Sequence, residues 1–168
     1  MGTGNPALLE VEDLRTYFFT RRGVVKAVDG VSFSVAPGET LGIVGQSGSG
    51  KTMTSLSLLR LVPQPGGKIV GGKILFEGVD LLQLSDAEMR GYRGSQISMI
   101  LQDPMASLNP LFTVGDQVAE PLRVHEGVGR AGAWSRAKDL LKSVRISAPE
   151  SRVGESARRN GAASRRAV

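Results

Sequence analysis

Alternating apolar and polar positions open the chain and predict two β-strands. From Leu8 to Phe19 the sequence alternates and then ends in an aromatic cluster, which suits a strand with one buried face. Residues 20–23 form a turn pattern, and β-rich sequence resumes from Val24 to Val35. A second turn pattern at 36–39 leads into the next segment. The front portion of the chain is therefore predicted to be antiparallel.

Short apolar runs and helical spacing alternate through the middle of the chain. Residues 40–44 and 96–101 are apolar runs of strand length between turn residues, and each predicts a buried strand. Helical spacing follows the first run over Thr52–Leu61. A serine followed three residues later by glutamate is a capping-box pattern, which predicts a helix from Ser85 to about Tyr92. With a further strand at 72–78, this alternation predicts an α/β core.

Two amphipathic helices are predicted beyond these strands. Within Thr113–Leu122 three apolar residues share one face: Val114, Val118 and Leu122. Pro121 is expected to kink this helix or end it early. From about Ala131 to Val144 the shared apolar face is Trp134, Ala137, Leu141 and Val144. Trp134 is expected to anchor a core, with base stacking or partner docking as the alternative.

Composition and charge exclude several classes of protein. The chain has 168 residues and no cysteine, which predicts one domain-sized core without disulfides or thiolate metal sites. Of its net charge of +5, residues 151–168 supply +4 through five arginines against Glu155, so residues 1–150 are nearly neutral. A nucleic-acid partner is not expected, because no basic stripe remains. The sequence also predicts neither a secretion signal nor a membrane span.

One stretch, Gly45–Thr52, carries a recognisable chemistry. It fits G-x-x-x-x-G-K-[ST] and lies between a predicted strand and a predicted helix, which is typical of a nucleoside-triphosphate-binding loop. Its glycines permit backbone amides to point at phosphate oxygens, Lys51 adds a positive charge, and the hydroxyl of Thr52 suits Mg2+. A plain Gly/Ser-rich surface turn is the alternative. The predicted nucleotide-binding residues of this phosphate loop are Gly45, Gln46, Ser47, Gly48, Ser49, Gly50, Lys51 and Thr52.

The chain resembles the ATP-binding subunits of ABC transporters, in detail those of the oligopeptide/dipeptide importer branch. Four stretches carry the resemblance: Lys26–Phe33, Gly38–Thr52, Arg93–Met105 and Ser107–Pro110. The likeness covers about residues 7–155. It implies a P-loop NTPase fold of the α/β class, namely an incomplete ABC nucleotide-binding domain with an antiparallel β layer and the start of a helical subdomain. The domain boundaries that follow are 1–155 for the partial domain and 156–168 for a basic tail, whose composition predicts disorder.

The resemblance also implies roles for two residues outside the phosphate loop. Phe18 is expected to stack on adenine, with Tyr17 as the next candidate and a core or edge position for Phe18 as the alternative. Gln102 is expected to be the Q-loop glutamine that positions the attacking water and contacts Mg2+, so the implied metal ligands are Thr52 and Gln102. The implied cofactors are ATP and Mg2+. The implied partners are transmembrane permease subunits and a second ATP-binding subunit, at the cytoplasmic face of the cell membrane.

The sequence departs from the family pattern after Glu155. The signature motif, the Walker B aspartate, the catalytic glutamate and the switch histidine do not occur. The chain is thus expected to bind ATP without hydrolysing it, as part of a peptide importer; a non-hydrolysing nucleotide-binding module and a non-functional gene fragment are the alternatives. Another P-loop NTPase, such as a kinase or GTPase, is disfavoured by Gln102 and 103–110. The abrupt change suggests a truncated gene product with an out-of-frame end, marginal stability and exposed apolar faces.

Overall fold

The computed structural model describes residues 7–102 and 108–156. The chain divides into two compact units, Met1–Arg93 and Gly94–Val168, and each is described by itself. Residues 103–107, within the stretch that resembles the peptide branch, lie outside the described residues, as do 157–168 of the predicted basic tail. Among the described residues, no helix is long and apolar enough to cross a membrane.

An antiparallel sheet forms the first unit's β layer. Its strands are β1 (Leu9–Thr20), β2 (Gly23–Val35), β3 (Gly67–Phe76) and β4 (Val79–Asp80). They lie in the order β2-β1-β3-β4, and every neighbouring pair is antiparallel. Val11 and Leu14 are both buried although they lie three positions apart, because an irregularity in the strand register falls between them. The predicted antiparallel front portion is confirmed.

Two helices accompany the sheet in the first unit. Helix α1 (Lys51–Leu58) packs on β1 through a buried hydrogen bond of 2.7 Å between the hydroxyls of Thr16 and Ser57. Helix α2 (Asp86–Tyr92) begins with the predicted capping box, since the Ser85 side chain accepts from the Glu88 amide and the Glu88 carboxylate accepts from the Ser85 amide. Arg93 then donates to the carbonyl of Leu59 at 2.7 Å, which ties the end of α2 to the end of α1.

The described part of the second unit contains three helices: α3 (Val114–His125), α4 (Arg130–Ser143) and α5 (Pro149–Arg152). Trp134 packs against their core, which confirms its predicted anchoring role. The core residues are Val114, Ala119, Leu122, Ala133, Ala137, Leu141 and Val153. The predicted early end at Pro121 is wrong, because α3 continues to His125 and buries Leu122 in its last turn. Val144 does not share the buried face: it follows the last residue of α4 and is 68% exposed.

The two apolar runs predicted to be buried strands are not strands. Residues 40–44 and 98–101 form neither strand nor helix, and Val44 and Ile100 are 92% and 96% exposed. A strand forms only where a neighbour supplies backbone donors and acceptors. The described residues provide no such neighbour for either run. Both runs therefore stay outside the sheet, although their apolar composition suits a sheet interior.

Candidate nucleotide-binding site

The phosphate loop leads into α1 through a left-handed glycine. Gly50 is the N-cap of α1, with φ at 90°, and its side-chain-free backbone lets the helix begin at Lys51 immediately after the turn. The Ser49 amide donates to the Gln46 carbonyl at 3.2 Å and closes the loop. The first amides of α1 therefore open towards the loop, where the helix dipole favours an anion.

The glycines of the motif are required by space as well as by conformation. A Cβ at Gly45 would lie 2.6 Å from Oγ and 3.3 Å from Cβ of Ser49, so the Ser49 side chain would have to move to admit it. A Cβ at Gly50 would collide with the carbonyl oxygen of Ala27 in β2. At Gly48 nothing lies within 4 Å of the ideal Cβ position, and the requirement there is the positive φ of 81° alone.

Lys51 turns its ammonium group back over the loop. Its Nζ donates to the carbonyl of Gly45 at 2.7 Å, to the carbonyl of Gln46 at 2.9 Å and to Oγ of Ser49 at 3.3 Å. These acceptors are neutral, so a phosphate oxygen offers the same donor a stronger, charge-assisted bond. Residues 45–49 are exposed, which leaves the cradle open to a ligand. The loop can therefore exchange internal bonds for bonds to an anion without unfolding.

The predicted Mg2+ ligand Thr52 lies exposed in the first turn of α1. No group of three or more histidine, cysteine or acidic residues among the described residues could hold a metal alone. A single hydroxyl beside a phosphate cradle nevertheless fits Mg2+, since this ion retains several waters and is shared with substrate phosphates. The donor set thus suits a metal that arrives with the nucleotide.

The two aromatic candidates occupy different surroundings on β1. The Phe18 ring lies against Gly67, with Cε1 2.9 Å from where a Cβ would stand, on the side where Val62 packs. Tyr17 is paired in register with Lys26, one residue from Ala27, whose carbonyl faces Gly50. Both rings are half-buried. The first unit therefore contains the loop and both aromatic candidates.

Gln102 lies in the second unit and is exposed at a bend in the chain. The phosphate loop belongs to the first unit, and the two units are described separately. Its predicted role as the Q-loop residue stays a prediction.

A polar cluster on the β1–β2 hairpin was not predicted from the sequence. Tyr17, Lys26 and Asp29 contact one another on β1 and β2, and no spacing rule places Lys26 and Asp29 on the same face of a strand, since residues three apart normally point to opposite sides. Only the irregular register of the hairpin brings them together.

Comparison with known proteins agrees with this geometry. The family model described as "ABC transporter" matches residues 28–164. The chain is 51% identical over 146 residues to the "Probable peptide ABC transporter ATP-binding protein y4tR" of Sinorhizobium fredii, covering 87% of this chain and 44% of the relative. It is 51% identical over 148 residues to the oligopeptide transport ATP-binding protein OppD of Bacillus subtilis, covering 88% and 41%. The chain therefore spans less than half the length of these relatives.

A similar fold occurs in solved structures. The dimeric bacterial ABC transporter cassette MJ0796 matches with a TM-score of 0.73 at 21% identity, covering 88% of this chain and 61% of the other. A dimeric post-hydrolysis state of the same cassette, bound to ADP and Pi, matches with a TM-score of 0.72. This likeness shows the P-loop NTPase fold.

Proposed function

The chain belongs to the ABC transporter family, a family of nucleotide-binding cassettes, and on that premise we propose that Gly45–Thr52 binds ATP with Mg2+. The observation that carries the proposal is the closed glycine loop with the Lys51 ammonium held over it by three weak internal acceptors. The triphosphate takes the place of those acceptors, and the first amides of α1 donate to it. Mg2+ neutralises phosphate charge, with Thr52 as its protein ligand from the loop.

The activity proposed for these 168 residues is binding rather than turnover. No carboxylate in the position of a catalytic base follows the Gln102 segment in the sequence, and general base catalysis is worth about 10²- to 10⁴-fold in rate. Gln102 is proposed to orient water and contact Mg2+ in a protein of the relatives' length. Hydrolysis and coupling to transport are likewise proposed for such a protein, because this chain spans 44% of the first relative.

The substrate and partners follow from the relatives' names. Those relatives are ATP-binding proteins of peptide, oligopeptide and dipeptide transport. We propose that a protein containing this domain energises peptide import at the cytoplasmic face of the cell membrane, bound to permease subunits. A second ATP-binding subunit is proposed as a partner, and the dimeric state of the structural neighbours supports it.

Lys51→Ala tests the proposal. The purified chain is titrated with ATP and Mg2+ by calorimetry, and the variant is expected to raise Kd at least about tenfold, because a bond to a charged group contributes about 1.5–3 kcal/mol. Lys73→Ala is the matched control: it also removes one positive charge, but this lysine lies on β3 and pairs with Glu12 at 3.4 Å. Equal affinities for the two variants would refute the proposed site.

Phosphate release under the same conditions separates binding from turnover. The chain is expected to release none above background. Turnover that disappears in Lys51→Ala would show that the chain hydrolyses ATP and that binding alone is too narrow a function. Absence of any ATP binding would favour the non-functional gene fragment.

A further inference from the structure

The turn of the β1–β2 hairpin is basic, and two hydrogen bonds hold its backbone. β1 ends at Thr20 and β2 begins at Gly23, so the turn consists of Arg21 and Arg22. The Thr20 hydroxyl donates to the Gly23 carbonyl at 2.8 Å and accepts from the Arg22 amide at 3.2 Å. Both arginines are exposed. The turn therefore presents two guanidinium groups to solvent from a defined backbone.

Large apolar side chains flank this turn. Phe19 pairs with Val24 across the hairpin, and the exposed fractions of Phe19, Val24 and Val25 are 49%, 53% and 56%. In β3, the exposed Lys68 places its Nζ 5.9 Å from the centroid of the Phe19 ring. We call residues 19–25 together with Lys68 the hairpin tip. It combines exposed apolar surface with positive charge.

Helix α1 leaves one side of the hairpin tip uncovered. Thr16 faces α1, since its hydroxyl is hydrogen-bonded to that of Ser57, and side chains alternate along a strand. Phe19, three positions further along β1, therefore points to the opposite face of the sheet, and its partner Val24 shares that face. The apolar surface formed by this pair thus opens on the side away from α1.

The charge of the hairpin tip is positive and unpaired. Residues 14–28 contain four basic residues and no acidic one. Arg15 pairs with Asp13 at 3.0 Å, and Lys26 pairs with Asp29 at 3.1 Å. In the described part of the chain, three cations of the tip have no ion pair: Arg21, Arg22 and Lys68. The partner that complements this surface is therefore anionic.

Three kinds of anionic partner differ in what else they require. Single-stranded nucleic acid stacks its bases on open aromatic rings, but an ammonium group lies 5.4 Å and 5.9 Å from the ring centroids of Tyr17 and Phe19 on this face. An acidic polypeptide matches the charge but offers little to the apolar side chains. An anionic lipid surface matches both, since its headgroups attract cations and apolar side chains enter the boundary with the acyl chains.

We propose that the hairpin tip binds the surface of an anionic lipid membrane. The two turn arginines and Lys68 contact the lipid headgroups, while Phe19 and Val24 enter the boundary between headgroups and acyl chains. Arginine and lysine suit this geometry, because their alkyl stems lie along apolar surface while their charged ends reach the headgroups. The inference goes beyond the proposed function, because it involves neither the phosphate loop nor a nucleotide.

Vesicle flotation tests the proposal on the full 168-residue chain, since aggregates sediment whereas vesicle-bound protein floats. The vesicles contain phosphatidylcholine alone or with about one third phosphatidylserine, in about 0.1 M salt, where charges more than about 10 Å from the surface are screened. The chain is expected to bind the anionic vesicles at least about tenfold more tightly, because each cation at an anionic surface strengthens binding about fivefold. Arginines beyond residue 156 add charge of their own, so each variant is also made in a background with four substitutions: Arg158→Gln, Arg159→Gln, Arg165→Gln and Arg166→Gln.

Charge variants assign the binding to the hairpin tip. Arg21→Gln combined with Arg22→Gln is expected to weaken binding to the anionic vesicles at least about tenfold. Arg123→Gln combined with Arg130→Gln is the matched control: it removes the same charge from two exposed arginines of the second unit and is expected to change binding less than about twofold. Lys51→Ala is expected to bind vesicles as the unsubstituted chain does, which keeps this test separate from that of ATP binding.

Variants of Phe19 test the apolar contact. Phe19→Ser is expected to weaken vesicle binding at least about threefold, and Phe19→Leu to retain most of it, because only the serine removes the apolar surface. Circular dichroism checks that both variants keep the fold. Phe19→Trp measures depth: brominated lipids are expected to quench its fluorescence more than that of the unsubstituted chain, whose one tryptophan, Trp134, lies in the second unit.

Several results would overturn the proposal. Equal binding to both kinds of vesicle, equal losses in the two double-arginine variants, or no added quenching in Phe19→Trp would each contradict a membrane contact through the tip. A loss of the same size in Lys51→Ala would move the contact to the phosphate loop. If a single-stranded oligonucleotide or polyglutamate bound through Arg21 and Arg22 and vesicles did not bind, the partner would be a nucleic acid or an acidic polypeptide instead.

Discussion

At the scale of single residues, two glycines of the phosphate loop are required for different reasons: Gly50 for space and backbone conformation, and Gly48 for backbone conformation alone. Gly50→Ala adds a Cβ that collides with the Ala27 carbonyl and also forces a side chain into a φ of 90°. Gly48→Ala incurs only the strain of a φ of 81°, because no atom lies within 4 Å of the added Cβ. A left-handed backbone costs an ordinary residue about 1–3 kcal/mol, and steric overpacking adds about 1–3 kcal/mol.

We therefore expect Gly50→Ala to lower the free energy of unfolding by about 2–6 kcal/mol and Gly48→Ala by about 1–3 kcal/mol. Urea denaturation followed by circular dichroism measures both. Equal losses would show that the Ala27 carbonyl moves aside without cost, so that its contact with Gly50 does not restrict the residue at position 50.

Single residues also differ in how far their contacts can be predicted from the sequence. The bounds of the phosphate loop follow from the sequence, because each residue type in it meets a local requirement of backbone or charge, and its binding of a nucleotide stays a prediction. The partnership of Tyr17 with Asp29 was missed, because it depends on the register of two strands and on one unpaired residue, Ala27. Register is a property of the pair of strands, and neither strand encodes it alone.

At the scale of elements, the capping box of α2 gives a prediction with a pH dependence. Ser85→Ala removes the acceptor for the Glu88 amide and is expected to cost about 0.5–2 kcal/mol in the free energy of unfolding. The bonds from the Ser85 side chain and backbone lower the pKa of Glu88. A lowered pKa means that this contribution is present above the unfolded-state pKa of Glu88 and is lost as pH falls through its folded-state value.

Urea denaturation of both proteins at pH 7 and at pH 3 measures this coupling. The difference between the chain and Ser85→Ala is expected to be larger at pH 7. Ser34→Ala offers a serine-to-alanine control at an exposed position of β2, outside the capping box. A difference that grows as the pH falls would contradict the assigned role of the Glu88 carboxylate.

Elements with local signals were predicted well, and elements that need distant neighbours were not. The apolar spacing of α4 and the capping box of α2 depend only on residues close together in the sequence. Both helices occur within about one residue of the predicted bounds. The runs 40–44 and 96–101 have the composition of buried strands, but burial requires neighbours that the described residues do not supply. The hydrophobic pattern of a segment shows which secondary structure it favours, whereas a strand forms only if a neighbouring strand pairs with it.

At the scale of the whole molecule, each unit leaves large apolar side chains in water. Val44 in the first unit is 92% exposed, and Ile100 and Leu111 in the second are 96% and 84% exposed. Such side chains contribute no burial energy to the folded chain and offer surface for association. We expect the purified chain to bind the dye ANS and to aggregate on heating; a reversible, cooperative melt above about 50 °C would contradict this expectation.

Replacing exposed apolar residues with lysine tests the cause of that association. Val44→Lys and Ile100→Lys, alone and together, are expected to raise the soluble fraction and lower ANS fluorescence, because charge replaces apolar surface without removing packing. Their cost in the free energy of unfolding is expected to stay within about 0.5 kcal/mol, the range for surface positions. Ile74→Lys is the matched control at a fully buried position of β3, where an unpaired charge is expected to prevent folding. If Val44→Lys or Ile100→Lys destabilised the chain as severely as Ile74→Lys, these side chains would be packed in solution, and the exposed runs would have found partners there.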